Sequence, residues 1–230
     1  MKLFSLLLSI MLVTHLNADS RRYVWTYEYQ TLHTGEAELE SYTEFSQVDT
    51  DSGRQAVTRL QYEYEIGMNN RFDVGIYQTF TQGHDSPLSY DGFKLRLRFR
   101  LGEKGLWFLD PLIYLEYKDT PTLDHSALEA KLVLARDMGN LNISLNPVWE
   151  FEFDKEDPDV EFEYAAGLSY RVHPLLALGL ETKGKPDQFY WGPTISHGKE
   201  DLWFALGLLF PGSQETATDR ILRFIIGVGL

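Results

Sequence analysis

Four cations, Lys94, Arg96, Arg98 and Arg100, stand at alternate positions of one short segment, and Phe93, Leu95, Leu97, Phe99 and Leu101 fill the positions between and beside them. Ammonium and guanidinium groups in such a column do electrostatic work: they steer anionic or dipolar molecules, or they pair with carboxylates. Carboxylates stand in matching columns at Glu36, Glu38, Glu40 and Glu44, and again at Glu150, Glu152, Glu161 and Glu163. Two uses remain open. The columns meet as interior salt bridges, or they face each other across solvent and set up a transverse field that orients dipolar or anionic solutes.

Covalent chemistry has less to build on. The chain has no cysteine, which removes thiolate catalysis, disulfides and cysteine-based metal sites. Ser196 and His197 are the only adjacent serine and histidine, and a nucleophile needs its base within hydrogen-bond reach and a third group to orient that base. Neighbours on a strand point to opposite faces, so this pair is badly placed and no enzyme activity is expected. His84 beside Asp85, and His125 beside Asp124, sit in loop sequence where contact with solvent is the plainer reading than a metal. The acidic loop 154–159 lacks the glycine and ligand rhythm of an EF-hand. It reads as a solvated cap, or as a bridge to lipopolysaccharide through divalent cations. Neither a metal nor a cofactor is expected.

The elements that must hold the charged columns are strands. On a strand, period-2 alternation gives one apolar and one polar face, whereas a helix would smear both around its girth. The pattern returns along the chain: Leu60, Tyr62 and Tyr64 against Arg59, Gln61 and Glu63; Ile143, Leu145 and Trp149 against Asn142, Ser144 and Glu150; Leu222, Phe224 and Val228 against Arg223 and Gly227. Such repetition is the signature of an all-β, antiparallel, up-and-down transmembrane barrel, apolar toward lipid and polar toward its lumen. Leu95, Leu97, Leu132, Ile143, Leu178 and Val228 are then lipid-facing. Pro147 removes a ladder hydrogen bond and predicts a bulge or strand end nearby.

Residues 21–230 hold thirteen extended segments. Turns at 68–71, 102–105, 137–140, 173–175 and 197–200 are short, and most connections between them are longer or more acidic. Short turns belong to the periplasmic side. Counting back from the carboxyl end gives a 12-stranded barrel over residues 35–230, and leaves 19–34 as an extended segment in the periplasm or tucked into the lumen.

At the other extreme, Lys2 and the apolar run Leu3–Val13, followed by Ala18, predict a signal peptide over 1–18. Its removal takes one lysine and no acid, leaving 20 basic and 34 acidic residues. That acidic balance argues against nucleic acid as a partner. Aromatics make up 14% of the chain, which suits interfacial girdles.

Residues 222–230 resemble the C-terminal signal read by the outer-membrane barrel assembly machinery, with Leu230 where phenylalanine is usual. Tyr27-Glu28-Tyr29 and Leu32-His33-Thr34-Gly35-Glu36 are similar to the start of porin-like proteins grouped with the phenol-degradation pathway barrels. The resemblance implies a bacterial outer-membrane location, with lipid, lipopolysaccharide and small solutes as partners. The function expected is a channel or passive transporter for small polar, anionic or dipolar solutes, and the alternative is a closed barrel with structural or surface work.

Overall fold

The computed structural model describes residues 20–50, 53–153, 159–199, 201–213, 216 and 218–230. The signal segment 1–18 and most of the acidic loop 154–159 lie outside these residues. Twelve strands follow one another: β1 (Ala37–Thr50), β2 (Gly53–Asn69), β3 (Phe72–Gln82), β4 (Ser89–Arg100), β5 (Asp110–Asp119), β6 (Ala127–Met138), β7 (Leu141–Glu152), β8 (Asp159–His173), β9 (Leu176–Gly184), β10 (Phe189–Lys199), β11 (Leu202–Pro211) and β12 (Thr218–Gly229). Each pairs antiparallel with its sequence neighbours, and β1 pairs with β12 from Glu38↔Gly229 to Val48↔Thr218, so the sheet closes with no free edge. This is the 12-stranded barrel that the alternation predicts.

The seam closes at one end of the barrel, where the Leu230 amide donates to the Ala37 carbonyl at 2.9 Å. The connections at this terminal end are 70–71, 101–109, 139–140, 174–175 and 200–201. One of them departs from expectation. The tight turn predicted at 102–105 is part of a longer excursion, in which Leu106, Trp107 and Phe108 are exposed. It is folded back by Arg136, which donates to the Trp107 carbonyl at 2.7 Å, and by the Gly105 amide donating to Asp110 at 2.8 Å. Strand β7 runs through Pro147 without a bulge. The β6–β7 register is the same on both sides of it, and only the pairs between Lys131↔Val148 and Leu134↔Leu145 are missing.

Alternation sorts the side chains. Leu95, Leu97, Leu178 and Val228 are 38–46% exposed on the outer face, and Leu132 and Ile143 are half-buried there, while Arg96, Val133 and Ser144 between them face inward and are at most 1% exposed. Lipid must cover this outer face. An arginine placed on it near the midplane costs about 2–4 kcal/mol. Leu97→Arg is therefore expected to lower unfolding stability in lipid vesicles by that amount, and unchanged stability would reverse the assignment of faces.

The interior is not uniformly polar. Tyr42, Tyr77, Trp203, Ala205, Leu209, Ile221 and Ile225 form one buried apolar cluster with Val24 and Trp25, and Leu112, Tyr114, Val133 and Ala135 form another with Tyr29. Both contain residues that precede β1. Inward apolar side chains on β5, β6, β11 and β12 are covered by the chain's own amino-terminal segment.

Candidate functional site

Residues 20–36 contain no strand; from Ser20 to Leu32 they run through the lumen as irregular extended chain. Extended chain inside a barrel has amide groups with no ladder to join, and each must find a side-chain partner. The wall supplies them. Glu181 on β9 accepts from the amides of Val24, Trp25 and Thr26 at 2.6, 2.8 and 2.7 Å. Asn146 on β7 accepts from the Tyr27 amide at 2.6 Å and donates to its carbonyl at 3.1 Å. Asp73 on β3 accepts from the Leu32 amide at 3.0 Å. The Tyr23 hydroxyl donates to Asn142 at 2.8 Å, and the Tyr29 hydroxyl to the Gly102 carbonyl at 2.6 Å. Two glycines give the aromatic rings room. A Cβ on Gly167 would overlap the Tyr23 ring, and one on Gly207 would overlap the Trp25 ring.

Three orphaned amides would follow from removing the Glu181 carboxylate, each costing about 1–3 kcal/mol while buried. Glu181→Ala is expected to release residues 23–27 from protection against hydrogen exchange while the wall strands keep theirs. Undiminished protection at Val24–Thr26 would show that the segment is held by packing alone.

The cationic column faces inward, and its members have different fates. Arg96 and Arg98 are fully or almost fully buried. Arg96 lies 2.6 Å from Glu63, 2.6 Å from Glu65 and 3.3 Å from Asp73, and Arg98 lies 2.8 Å from Glu65 and 2.7 Å from Asp73. The register explains the reach. Glu65 pairs with Gly75 and Gly75 with Arg96, so a row across β2, β3 and β4 reads Glu–Gly–Arg, and the guanidinium passes over the glycine. The Tyr42 hydroxyl donates to Glu63 at 2.9 Å and also contacts Glu40, which lies 3.6 Å from Arg21 of the lumenal segment. Lys94 is paired with Glu116 on β5 at 3.0 Å. Arg100, at the terminal end, reaches the Asn70 carbonyl and covers the Tyr29 ring, 5.6 Å from its centre.

The glutamates divide likewise. Glu38 and Glu40 are buried in the terminal half, Glu38 accepting from the Trp203 indole. Glu44 accepts from Arg223 at 2.5–2.8 Å, with Arg59 at 3.5 Å. Glu36 precedes β1 and caps the His33 amide at 2.8 Å, so it is a turn residue and not a rung of the wall column. Glu150 binds Lys118 at 2.6 Å. Glu161 and Glu163 are only part-buried at the far end, both near Lys185, and Glu152 closes β7 at the same end. Apart from Glu36, the predicted columns are thus inward, but their ion-pair partners are Glu63, Glu65, Asp73, Glu116, Lys118, Lys185 and Arg223, which the column pattern alone does not single out. Cross-strand register is the signal that pairs them.

Other candidates separate. Ser196 is buried inside the wall while His197 points outward and stacks on Phe204, ring centres 5.3 Å apart, so the two cannot act together. His84 lies 3.3 Å from Asp85 in the exposed 83–88 loop. Asp124 is held by the hydroxyls of Thr120 and Thr122 at 2.5 and 2.7 Å, which lower its carboxyl below the ordinary range. Among the described residues, the buried group with metal-ligand spacing is Glu40, Glu63 and Glu65, and the guanidinium of Arg96 already sits between two of its members.

Free space remains on both sides of the lumenal segment. A cavity of about 460 Å³ lies at the terminal end, bordered by Arg22, Glu28, Arg100 and Asp137. Another of about 220 Å³ lies above Trp25 and Tyr27, bordered by the cations Lys94, Lys131, Lys183 and Arg223 and by Glu116, Glu129 and Glu163.

No protein-family model and no curated protein sequence matches the chain. Solved structures do. A COG4313 outer membrane channel from Pseudomonas putida F1 superposes with a TM-score of 0.63 at 12% identity, over 90% of this chain and 100% of that one. The NanC porin gives 0.59 at 6% identity over 84% and 100%, and the KdgM porin, solved in complex with disordered oligogalacturonate, 0.54 at 12% identity over 84% and 97%. The likeness is one of fold: this chain is a β-barrel of the bacterial outer-membrane type.

Proposed function

We propose that the protein is an outer-membrane channel or passive transporter for small polar solutes, constricted by its own amino-terminal segment. One observation carries the reading. The lumen is narrowed by a length of chain held through hydrogen bonds and side-chain packing, not by strands of the wall, and polar cavities lie on either side of it. A wall built only for structure has no need of a separate closing element. The similarity of fold to a channel and to porins supports the same direction. In this proposal residues 1–18 direct export, strand 222–230 is read by the barrel assembly machinery, and the terminal end, where four of the five connections are two residues long, faces the periplasm. Lipopolysaccharide surrounds the far end.

A closed barrel with structural or surface work is the second reading. It is favoured by the packing of Arg96 and Arg98, which are buried against their carboxylates and face no open space. Conductance of the refolded mature chain in planar bilayers separates the two. Discrete ohmic steps with measurable ion selectivity support the channel, and silence across repeated insertions, with the barrel shown to be folded, supports the closed form.

A further inference from the structure

Arg96 and Arg98 are locked in the wall, so a solute in the lumen meets other cations. Around the 220 Å³ cavity above Trp25, Lys94 and Lys131 are each matched to a glutamate, at 3.0 and 2.9 Å. Lys183 on β9 is not. It faces inward, partly buried, and among the described residues no carboxylate lies within ion-pair distance of it. Arg223 lines the same cavity and shares the single carboxylate of Glu44 with Arg59. Three cations, Lys183, Arg223 and Arg59, therefore gather around Glu44, with Glu163 the other carboxylate on this side of the cavity. Glu150 and Glu161 are held by Lys118 and Lys185, and Glu163, which also borders the cavity, lies 3.7 Å from Lys185.

The floor is aromatic, made by Trp25 and Tyr27 of the lumenal segment. A cavity below the roughly 300–1,000 Å³ of drug-sized pockets admits only a small molecule. An unmatched ammonium and a guanidinium over an aromatic floor recognise a carboxylate on a compact organic body.

We infer that Lys183 and Arg223 form a subsite for small organic carboxylates above the lumenal constriction. The inference rests on the channel reading, and it names the class of solute that reading leaves open.

Binding of benzoate to the refolded full mature chain in detergent micelles tests it, by saturation-transfer NMR against increasing ligand. The wild type is expected to bind saturably, Lys183→Gln to weaken binding about tenfold, and Lys118→Gln, which removes a cation already held by Glu150, to leave it near wild type. Absence of saturable binding overturns the proposal, as does equal binding by Lys183→Gln. Displacement of benzoate by chloride at matched ionic strength would also overturn it, because the site would then respond to charge alone. Conductance is a separate readout. A silent barrel that binds benzoate removes the channel and keeps the subsite, whereas a conducting barrel without benzoate binding does the reverse.

Discussion

Deleting residues 20–33 behind the signal segment is expected to raise single-channel conductance several-fold while the barrel still assembles. The wall does not depend on this segment for its hydrogen bonds, since every strand has two antiparallel neighbours and β1 closes on β12. The segment instead spans the lumen, tied to β3, β7 and β9 through Asp73, Asn146 and Glu181. Without it, Trp203, Leu209, Ile221 and Ile225 lose their cover of Val24 and Trp25. Side chains of this size gain about 1.5–3 kcal/mol each from full burial, so the shortened barrel should unfold at lower denaturant while remaining closed. Two measurements on one sample decide the matter: heat-modifiable gel mobility for folding, and current steps in planar bilayers for the opening. A folded, shortened barrel with unchanged conductance would show that the solute path does not run past the segment. Gly207→Val is the milder version, because the added side chain collides with the Trp25 ring and leaves the chain length intact.

The wall was legible in the sequence because strand alternation is local. Leu95 and Arg96 are adjacent, and their opposite fates follow from the pleat without knowledge of any other strand. Even the strand number follows from connection lengths. The lumenal segment was harder to place. Tyr23, Trp25, Tyr27 and Tyr29 alternate as a wall strand would, yet residues 20–33 pair with no strand. A signal for it was present on the partner side. In β11 and β12 the inward positions Trp203, Ala205, Leu209, Ile221 and Ile225 are apolar, which a water-filled lumen does not favour, and something must cover them. The ion network was legible only by half. A column of four cations announces itself, but whether it faces solvent or carboxylates depends on which residues lie across β3. Gly75, by having no side chain, lets Arg96 reach Glu65 two strands away. The unmatched charge on Lys183 is of the same kind, a property of three-dimensional neighbours that no single segment displays.

Arg96→Ala is expected to be the most damaging single substitution in the wall. The guanidinium is fully buried and contacts Glu63, Glu65 and Asp73 at once. Removing one partner of a buried ion pair costs about 3–5 kcal/mol, chiefly because the remaining charge is left uncompensated. The loss falls unevenly. Glu65 and Asp73 keep Arg98, at 2.8 and 2.7 Å, whereas Glu63 keeps tyrosine hydroxyls, Tyr42 at 2.9 Å and Tyr77, and among the described residues no other cation within ion-pair distance. A double-mutant cycle should therefore give stronger coupling between positions 96 and 63 than between 96 and 73. Glu63→Ala added to Arg96→Ala should recover part of the lost stability. Arg96→Lys should fail to rescue, since one ammonium cannot reproduce the planar fork that reaches three carboxylates. Urea unfolding in lipid vesicles, followed by tryptophan fluorescence, measures all of these variants on one scale. If Arg96→Ala costs less than about 1 kcal/mol, the pairs behave as solvated ones, as surface salt bridges do. Water would then reach this part of the wall, and Arg96 would return to the set of charges a solute can meet.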